Sequence, residues 1–525
     1  MPSPRSYNGT VASRGYAEGI LFSLDEKEAA YASSNNPAIE ADRLKTAIGM
    51  AAAQLAELVS TASGDAADIL EFQLAMLEDD ALSEPAVASI ASGKDAASAW
   101  RGALEAEIET YLGSDNDYFR ARAADLRDIA GRVTRALTGG ADLEPPAGAI
   151  LVGDDITPSV FLGRDWGKGG AIILRQGSPA SHVAMLARSR GVPMLVGVAD
   201  FVGESGEPAL VDAEAGAVTL SPGADGIGDF RSAADKARSV RAVAAAMAGK
   251  PAVTTDGTRI AVYINVASPD ELAGIDVATC DGIGLMRTEF LYSDRLPDEE
   301  TQYDAYRRVL EWAAGRPVVI RTVDAGGDKP VPGFTVAETN PFLGLRGIRL
   351  ALAKPDIFRV QIRALLRAAR HGHLRVMFPM IATASEFAAA KSLFLEEAGA
   401  LGVAMPQLGI MVEVPAAAVA PELLNDAAFF SIGSNDLTQY VMAAGRDNGA
   451  VASLNDVTHP AVLGLIARVA AYGADHGIPV SLCGDAGSDP VAIPPLLKAG
   501  LRSLSVSPAQ LPLAKLAIAG VKLGG

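Results

Sequence analysis

Eight short apolar segments recur through the second half of the chain. They span residues 260–266, 282–290, 318–324, 375–381, 408–414, 429–436, 479–485 and 503–507. All are rich in Val, Ile, Leu, Met and Phe, and helix-like stretches separate most of them. Eight alternating strands and helices predict a closed parallel (β/α)8 TIM barrel over residues 251–525. Barrels of this kind carry their chemistry at the carboxyl ends of their strands.

Polar side chains stand at or just beyond the ends of these predicted strands. They are Arg287, Arg321, Glu413, Asn435, Asp436 and Cys483. Because the carboxyl ends of barrel strands surround one pocket, we expect these side chains to lie close together. Arginines suit a phosphorylated ligand, and paired carboxylates suit a divalent metal bound beside it. The pattern therefore predicts a site for an anionic, phosphorylated substrate with a divalent metal.

Composition limits the partners and the compartment. The chain has 63 acidic and 45 basic residues, a formal charge of −18, and no run rich in Lys or Arg, which argues against nucleic acid or an anionic membrane as partner. Two cysteines cannot form a disulfide framework and indicate a reducing compartment. The start lacks the apolar core of a signal peptide, and no segment approaches the ~18 apolar residues of a membrane span. We expect a cytoplasmic protein with no membrane insertion.

The first half of the chain changes texture three times. Residues 1–22 predict a short β segment with turns at Gly9, Gly15 and Gly19. The stretch 23–139 is rich in Ala, Leu and Glu and predicts a helical bundle, which is either an ordinary packed subdomain or a docking surface for a partner protein. Two further regions follow: an α/β unit at 140–222, with strands predicted at 149–152, 171–174, 194–196 and 209–211, and a linker helix within 223–250.

One histidine lies at the predicted start of a helix. The segment GSPASHVAMLARSRG at 177–191 places Ser181 as N-cap, His182 in the first turn and Gly191 at the end. The positive end of the helix stabilises a bound phosphoryl group and disfavours an imidazolium, so the neutral ring is available as a nucleophile. Taken alone, such a histidine is more often a surface or capping residue. The other four are expected to be structural: His371, His373, His459 and His476.

Taken together, these segments resemble enzyme I of the phosphoenolpyruvate–sugar phosphotransferase system over nearly the whole length. Besides the helix at 177–191, the matching motifs follow the order of that family. They are GTVASRG at 9–15, DDITPS at 154–159, GIGLMRTEFL at 282–291, RTVDAGGDK at 321–329, NPFLGLR at 340–346, VEVPA at 412–416, SIGSNDLTQY at 431–440 and LCGD at 482–485.

The resemblance implies a multidomain α/β protein in which each part has its own task. A phosphohistidine α/β domain is formed by residues 1–22 together with 140–222, and its helical insert at 23–139 docks a small histidine phosphocarrier of the HPr type. The barrel at 251–525 binds phosphoenolpyruvate and Mg²⁺, releases pyruvate and pairs in a homodimer. The implied activity is that of a phosphoenolpyruvate-protein phosphotransferase with a phosphohistidine intermediate.

The resemblance also implies roles for individual residues. His182 matches the phosphorylated histidine, Thr157 a hydroxyl held close to it, and Cys483 the acid that protonates the enolate carbon. Glu413 and Asp436 match the carboxylates that hold the metal. The residues that match substrate-binding positions are Arg287, Arg321, Lys329, Arg346, Asn435, Asp436 and Arg446. Phosphoryl transfer needs charge neutralisation and positioning of this kind more than covalent help.

Two other functions remain open on the residues alone. A pyruvate phosphate dikinase or phosphoenolpyruvate synthase relative shares the histidine helix and the barrel, but it needs a large nucleotide-binding domain, and residues 1–140 contain no glycine-rich phosphate loop. A non-catalytic regulator that only binds metabolite and partner is opposed by the presence of His182, both carboxylates and Cys483. The choice between a sugar-transport and a nitrogen-regulatory branch, and the identity of the carrier, are also left open.

Overall fold

The computed structural model describes residues 4–24, 31–61, 65–112, 117–139, 145–177, 181–292, 296–327, 329–336, 338–445, 451 and 454–524. Two compact units make up the chain, residues 1–237 and 238–525. The predicted multidomain α/β architecture with a TIM barrel is confirmed. Among the described residues, no helix is long and apolar enough to cross a membrane.

The first unit is built on one mixed sheet of eight strands. These are β1 (Arg5–Asn8), β2 (Thr10–Ser13), β3 (Tyr16–Ser23), β4 (Ile150–Gly153), β5 (Ala171–Leu174), β6 (Met194–Val196), β7 (Pro208–Asp212) and β8 (Ala217–Leu220). Their order is β1-β8-β7-β3-β4-β5-β6-β2. Strands β3 to β6 run parallel, and the remaining pairs are antiparallel. Buried apolar clusters cover both faces of this sheet.

In the part of the chain that the structure describes, eight α-helices accompany these strands. They are α1 (Pro37–Thr61), α2 (Asp65–Glu78), α3 (Asp80–Ala91), α4 (Ala96–Leu112), α5 (Asp117–Thr138), α6 (Pro158–Leu162), α7 (His182–Arg190) and α8 (Ala224–Ala245). Helices α1 to α5 enter the chain between β3 and β4 and share a core that contains the fully buried Trp100. This is the predicted helical insert. Helix α8 is the predicted linker helix, and the division between the two units falls within it.

Two predictions for the first unit are wrong in detail. Gly19 is not in a turn but inside β3, where a Cβ would lie 2.4 Å from the carbonyl oxygen of Gly148. The glycine is therefore required by the close approach of two chain segments and not by a bend. Strand β8 was not predicted, because its short, half-exposed alternation becomes a strand only by pairing with β1 and β7.

The second unit is a barrel of eight parallel strands extended by a two-residue strand, β9 (Ala252–Val253), antiparallel to β10. The barrel strands are β10 (Arg259–Val266), β11 (Ile283–Met286), β12 (Val318–Arg321), β13 (Leu374–Phe378), β14 (Gln407–Val412), β15 (Phe430–Ile432), β16 (Val480–Leu482) and β17 (Ser503–Val506). Pairing of β10 with both β11 and β17 closes the barrel. All eight predicted strands are present, and most end earlier than predicted.

The helices of this unit surround the strands. They are α9 (Glu299–Trp312), α10 (Ile348–Ala353), α11 (Pro355–Ala368), α12 (Ala384–Leu401), α13 (Pro415–Val419), α14 (Ser434–Met442), α15 (Pro460–His476), α16 (Ile493–Lys498) and α17 (Leu511–Ala519). The main core lies between strands and helices, and a smaller apolar layer fills the barrel interior below the strand ends. Three of the other histidines have structural contacts: His459 caps α15, His371 contacts Tyr303, and His476 contacts Tyr472.

A buried lysine holds the start of the second unit to its last helix. The ammonium of Lys515 in α17 donates to the backbone oxygens of Ala248, Lys250 and Thr279 at 2.5, 2.8 and 2.6 Å. The residue is only 4% exposed. Three donors thus meet three acceptors, and the segment that follows α8 is fixed to the amino-terminal side of the barrel.

We expect Lys515→Met to lower the free energy of unfolding by roughly 3 kcal/mol, because it leaves several buried carbonyl groups without a donor. Urea unfolding followed by circular dichroism measures this change. Lys522→Met, which removes an exposed lysine from the same end of the chain, is the control and should have little effect. Equal stability of the two variants would contradict a fixing role for Lys515.

Candidate active site

The residues singled out in the barrel stand at the carboxyl ends of neighbouring strands. Arg287 follows β11, Arg321 ends β12, Glu413 follows β14 and Cys483 follows β16. Asn435 and Asp436 lie in the first turn of α14, directly after β15. In a closed parallel barrel these ends surround one pocket. The contacts described below join most of these residues into one cluster.

A buried arginine between two carboxylates forms the centre of the cluster. Arg346 donates to both oxygens of Asp324, from Nε at 3.1 Å and from Nη2 at 3.0 Å. It also donates to both oxygens of Asp436, at 2.9 and 3.1 Å. Arg346 and Asp324 are 0% exposed. Burial alone would lower the pKa of Arg346, but the two carboxylates outweigh it and raise this pKa above its ordinary value.

Arg321 extends the cluster towards the neighbouring strand. Its guanidinium lies 3.0 Å from an oxygen of Glu289 and 3.3 Å from an oxygen of Asp324. The same Glu289 oxygen accepts the backbone N–H of Asp324 at 2.9 Å. Burial opposes the charged form of Arg321, and the attraction of these carboxylates raises its pKa nonetheless. Arg321 is thus held in place by protein carboxylates on one side.

The contacts of this cluster explain why β11 is shorter than predicted. Thr288, two residues beyond the strand, donates from its hydroxyl to the backbone oxygen of Arg321 at 3.0 Å. Glu289 turns towards Arg321 in the same way. Residues predicted to continue the strand as part of 282–290 therefore leave the ladder to bind polar groups at the end of β12.

Glu413 is the carboxylate of the cluster whose ionised form is most disfavoured by its surroundings. It is 1% exposed, and its Oε1 accepts the backbone N–H of Met380 at 2.7 Å. Burial, with the repulsion of Asp436 and Asp324, raises the pKa of Glu413 to about 8. A Cβ at Gly433 would lie 2.8 Å from Glu413 Oε2, so only glycine allows the backbone after β15 to pass this carboxylate.

Cys483 lies at the top of the apolar layer inside the barrel. It is 2% exposed and belongs to a cluster with Leu285, Val319, Met377 and Met411 among others. Burial raises the pKa of the thiol to about 11, although the positive charge of Arg321 acts in the opposite direction. The thiol therefore stays protonated at neutral pH and is equipped to donate a proton.

Three further predicted residues, Arg287, Lys329 and Asn435, differ in how strongly other side chains of the protein engage them. Arg287 is half-buried and has no ion pair within the described ranges, so its guanidinium is available to an anion. The ammonium of Lys329, 32% exposed, lies 3.7 Å from Asp324. Asn435 is engaged with Asp485, donating to its carboxylate at 2.8 Å and accepting its backbone N–H at 3.0 Å. Arg446 lies outside the described residues.

The carboxylates supply oxygen donors of the kind that Mg²⁺ prefers. The pKa of Glu413 is raised first by burial and then by the repulsion of Asp436 and Asp324, and a divalent cation beside the carboxylate would counteract both effects. Within the described residues, no group of three or more His, Cys, Asp or Glu side chains could hold a metal ion. A cation at Glu413 and Asp436 would need additional oxygen donors from substrate or water, which is usual for Mg²⁺.

In the first unit, the predicted histidine helix is confirmed. Helix α7 begins at His182, Ser181 accepts the backbone N–H of Ala184 at 3.2 Å as N-cap, and Gly191 ends the helix with φ +64°. Thr157, which the resemblance matches to a hydroxyl close to the histidine, is the N-cap residue of α6. The side chain of His182 and residues 178–180 lie outside the described part of the structure.

Sequence reasoning missed three residues of the barrel cluster. Glu289 and Asp324 lie within matching motifs but received no role, although they balance Arg321 and Arg346. Both are acidic residues in the last two positions of predicted strand segments, which is the signal that identified Glu413 and Asp436. Tyr440, whose hydroxyl accepts from Arg346 at 3.3 Å and donates to the backbone oxygen of Phe342 at 2.6 Å, was also missed.

Three family models of known proteins match successive parts of the chain. Residues 8–122, 145–216 and 241–523 match the N-terminal, mobile and PEP-binding domains of PEP-utilising enzymes. A phosphoenolpyruvate-protein phosphotransferase of Geobacillus stearothermophilus is 38% identical to this chain, and the match covers 98% of this chain and 93% of the relative. One of Bacillus subtilis (strain 168) is 37% identical over 95% of this chain and 91% of the relative. The chain therefore belongs to the phosphoenolpyruvate-protein phosphotransferase family of PEP-utilising enzymes.

Proposed function

We propose that this enzyme transfers the phosphoryl group of phosphoenolpyruvate to its own His182 and then to a histidine of an HPr-like phosphocarrier, releasing pyruvate. The observation that carries the proposal is the cluster at one end of the barrel, where Arg321, Glu413, Asp436 and Cys483 meet. It combines cations for an anionic substrate, carboxylates for a metal and a protonated thiol. The dikinase and regulator alternatives are not favoured, because the chain matches named phosphotransferases over nearly its whole length.

Substrate binding uses the guanidinium groups in different ways. Arg287, which has no ion pair among the described residues, takes the oxygens of the phosphoryl group as a bidentate partner. Arg321 presents its remaining face to the same group while Glu289 and Asp324 hold it from behind. Asn435 and Arg446 take further phosphate and carboxylate oxygens, and Lys329 adds positive charge at the rim. Arg346 has its donors occupied by Asp324 and Asp436, and so it positions these two carboxylates.

The proposed reaction transfers one phosphoryl group and then one proton. A ring nitrogen of His182, Nε2 as implied by the family, forms a bond to phosphorus as the bond from phosphorus to the enol oxygen breaks. The electron pair of that bond leaves with the enol oxygen, giving pyruvate enolate. Carbon 3 of the enolate takes the proton of the Cys483 thiol, and the resulting thiolate is stabilised by the positive charge of Arg321. The phosphoryl group then passes to the carrier histidine.

Glu413 and Asp436 would hold Mg²⁺, which when bound neutralises charge on the phosphoryl and enolate oxygens. The two carboxylates are themselves held in place by the protein. Arg346 fixes Asp436, and the backbone N–H of Met380 fixes Glu413. We also place the enzyme in the cytoplasm, as a homodimer through the barrel. The cytoplasmic location rests on the low cysteine content and the two buried, free thiols.

Incubation with ³²P-labelled phosphoenolpyruvate and Mg²⁺ tests the function directly. We expect an acid-labile label on one histidine, identified by mass spectrometry as His182, and transfer of this label to an added HPr-like protein. His182→Ala should abolish both, while His476→Ala, which changes an exposed histidine at the end of α15, should label normally. A label that survives His182→Ala would refute the assignment.

The two arginines after β11 and β12 should respond differently to replacement. Arg287→Met should raise the KM for phosphoenolpyruvate by at least tenfold, because roughly one charge-assisted hydrogen bond to the substrate is lost. The free energy of unfolding should change little. Arg321→Met leaves Glu289 without its ion-pair partner, removes one of the cations around Asp324, and should destabilise the barrel by about 3–5 kcal/mol. Urea unfolding and steady-state kinetics separate the two effects. Equal loss of stability in both variants would contradict the assignment of Arg287 as the free arginine.

The Cys483 thiol should resist alkylation in the folded protein. Its pKa of about 11 lies above that of a free cysteine, so the folded state keeps the proton over the interval in which the unfolded chain loses it. Iodoacetamide modification, followed by mass spectrometry, should therefore rise only as pH approaches 11, whereas the urea-unfolded chain should react from about pH 8.5 upward. Coincident pH profiles would show that the buried thiol is not held protonated.

The variant Cys483→Ala should slow pyruvate formation on the order of a hundredfold.

A further inference from the structure

One polar side chain interrupts the buried apolar face of helix α11. Gln361 is 0% exposed, and its neighbours on this face include Phe358, Ile362 and Leu365. Burial of an amide is costly unless its oxygen and its two N–H groups have partners. The partners of Gln361 therefore show what this residue holds in place.

The amide of Gln361 holds the backbone on both sides of Arg321. Its oxygen accepts the backbone N–H of Val323 at 3.0 Å. Its nitrogen donates to the hydroxyl of Thr288 at 3.3 Å, and this hydroxyl donates to the backbone oxygen of Arg321 at 3.0 Å. A single side chain behind the barrel strands is thus joined to the end of β12 directly and through Thr288.

The direction of every hydrogen bond in this group is fixed. The backbone oxygen of Arg321 can only accept, so the hydroxyl hydrogen of Thr288 points to it and the hydroxyl oxygen accepts from Gln361. The second N–H of Gln361 donates to the hydroxyl of Tyr306 at 3.0 Å, and Tyr306 donates to Gln302 at 3.1 Å. All three hydrogen-bonding positions of Gln361 are therefore used.

These contacts join two strand ends just beyond the point where their ladder stops. The last paired residues of β11 and β12 are Met286 and Ile320. Arg287 and Arg321 follow directly after this pair, and Thr288 comes next along the chain from Arg287. Side-chain hydrogen bonds from Thr288 and Gln361 therefore continue the connection between the strands at the positions that carry the two arginines.

We propose that Gln361 is a positioning residue that sets the separation of Arg287 and Arg321, the two arginines assigned above to the phosphoryl group. The positive charge of each acts to lower the pKa of the Cys483 thiol, which places both guanidinium groups beside the same pocket. Phosphoryl transfer depends on such positioning, and a displacement of about 1 Å is enough to slow it. The inference rests on the proposed function and deepens it.

Gln361→Met tests the proposal, because methionine has a similar length and makes none of the three hydrogen bonds. We expect the KM for phosphoenolpyruvate to rise about tenfold. Inhibition by pyruvate, which lacks the phosphoryl group, should keep its inhibition constant. Both constants come from steady-state pyruvate release and product inhibition, measured on the full chain with Mg²⁺ and an HPr-like acceptor. A general weakening of the barrel would not separate these two ligands.

Two matched controls change the outer part of the same buried group. Tyr306→Phe removes one partner of Gln361 but leaves its bonds to Val323 and Thr288, and Gln302→Met changes a residue that does not touch either strand end. Urea unfolding should show a loss of stability in both controls, as in Gln361→Met. The KM for phosphoenolpyruvate should nevertheless stay normal in both.

Thr288→Val keeps the proposal testable if Gln361→Met does not fold. Valine has the shape of threonine but cannot bind the backbone oxygen of Arg321, so the KM for phosphoenolpyruvate should rise in the same way. Thr288→Ser keeps the hydroxyl and should restore the KM.

A raised KM for phosphoenolpyruvate with unchanged inhibition by pyruvate, in Gln361→Met or Thr288→Val and in neither control, supports the proposal. A normal KM in these two variants when folded overturns it, and so does an equal rise of both constants in variants and controls alike. Failure of the unchanged protein to release pyruvate or to phosphorylate His182 would instead refute the proposed function.

Discussion

The buried contact between Arg346 and its two carboxylates is the interaction on which the barrel site depends. One guanidinium holds Asp324 from the β12 side and Asp436 from the β15 side, with four hydrogen bonds of 2.9 to 3.1 Å. Strand ends on different sides of the pocket are thereby set at a fixed separation. Removal of the arginine would take from Asp436 its ion-pair partner and leave Asp324 only its contacts with Arg321 and Lys329, and the loss of one partner of a buried pair is a costly change in a protein interior.

The same cluster explains why the site is poised for a cation. The cations Arg287, Arg321, Lys329 and Arg346 stand among the carboxylates Glu289, Asp324, Glu413 and Asp436 at this end of the barrel. Burial, with the repulsion of Asp436 and Asp324, raises the pKa of Glu413 to about 8, so this carboxylate holds its negative charge least readily. A divalent cation beside Glu413 would favour its ionised form, and under the proposed function it would also offset the charge of an anionic substrate.

Most of the fold and the positions of the barrel site could be predicted from the sequence, because apolar segments mark strands and a parallel barrel brings their ends together. The pairing of charges could not. Nothing in the segment that contains Glu289 tells that its carboxylate reaches Arg321 and the backbone of Asp324, since both contacts arise only when β11 and β12 lie side by side. Likewise Arg346 matched a substrate-binding position, and its complete burial between carboxylates became evident only in three dimensions.

The two units use buried carboxylates in different ways. In the barrel, burial in a water-poor interior, modified by neighbouring charges, sets which groups hold protons, as the elevated pKa values of Glu413 and Cys483 show. In the first unit, the carboxylate of Asp128 in α5 accepts both the hydroxyl and the backbone N–H of Ser159 in α6. The buried carboxylate there satisfies donors at the start of a helix and joins the helical insert to the α/β part of the same unit, because an unpaired buried donor would be costly.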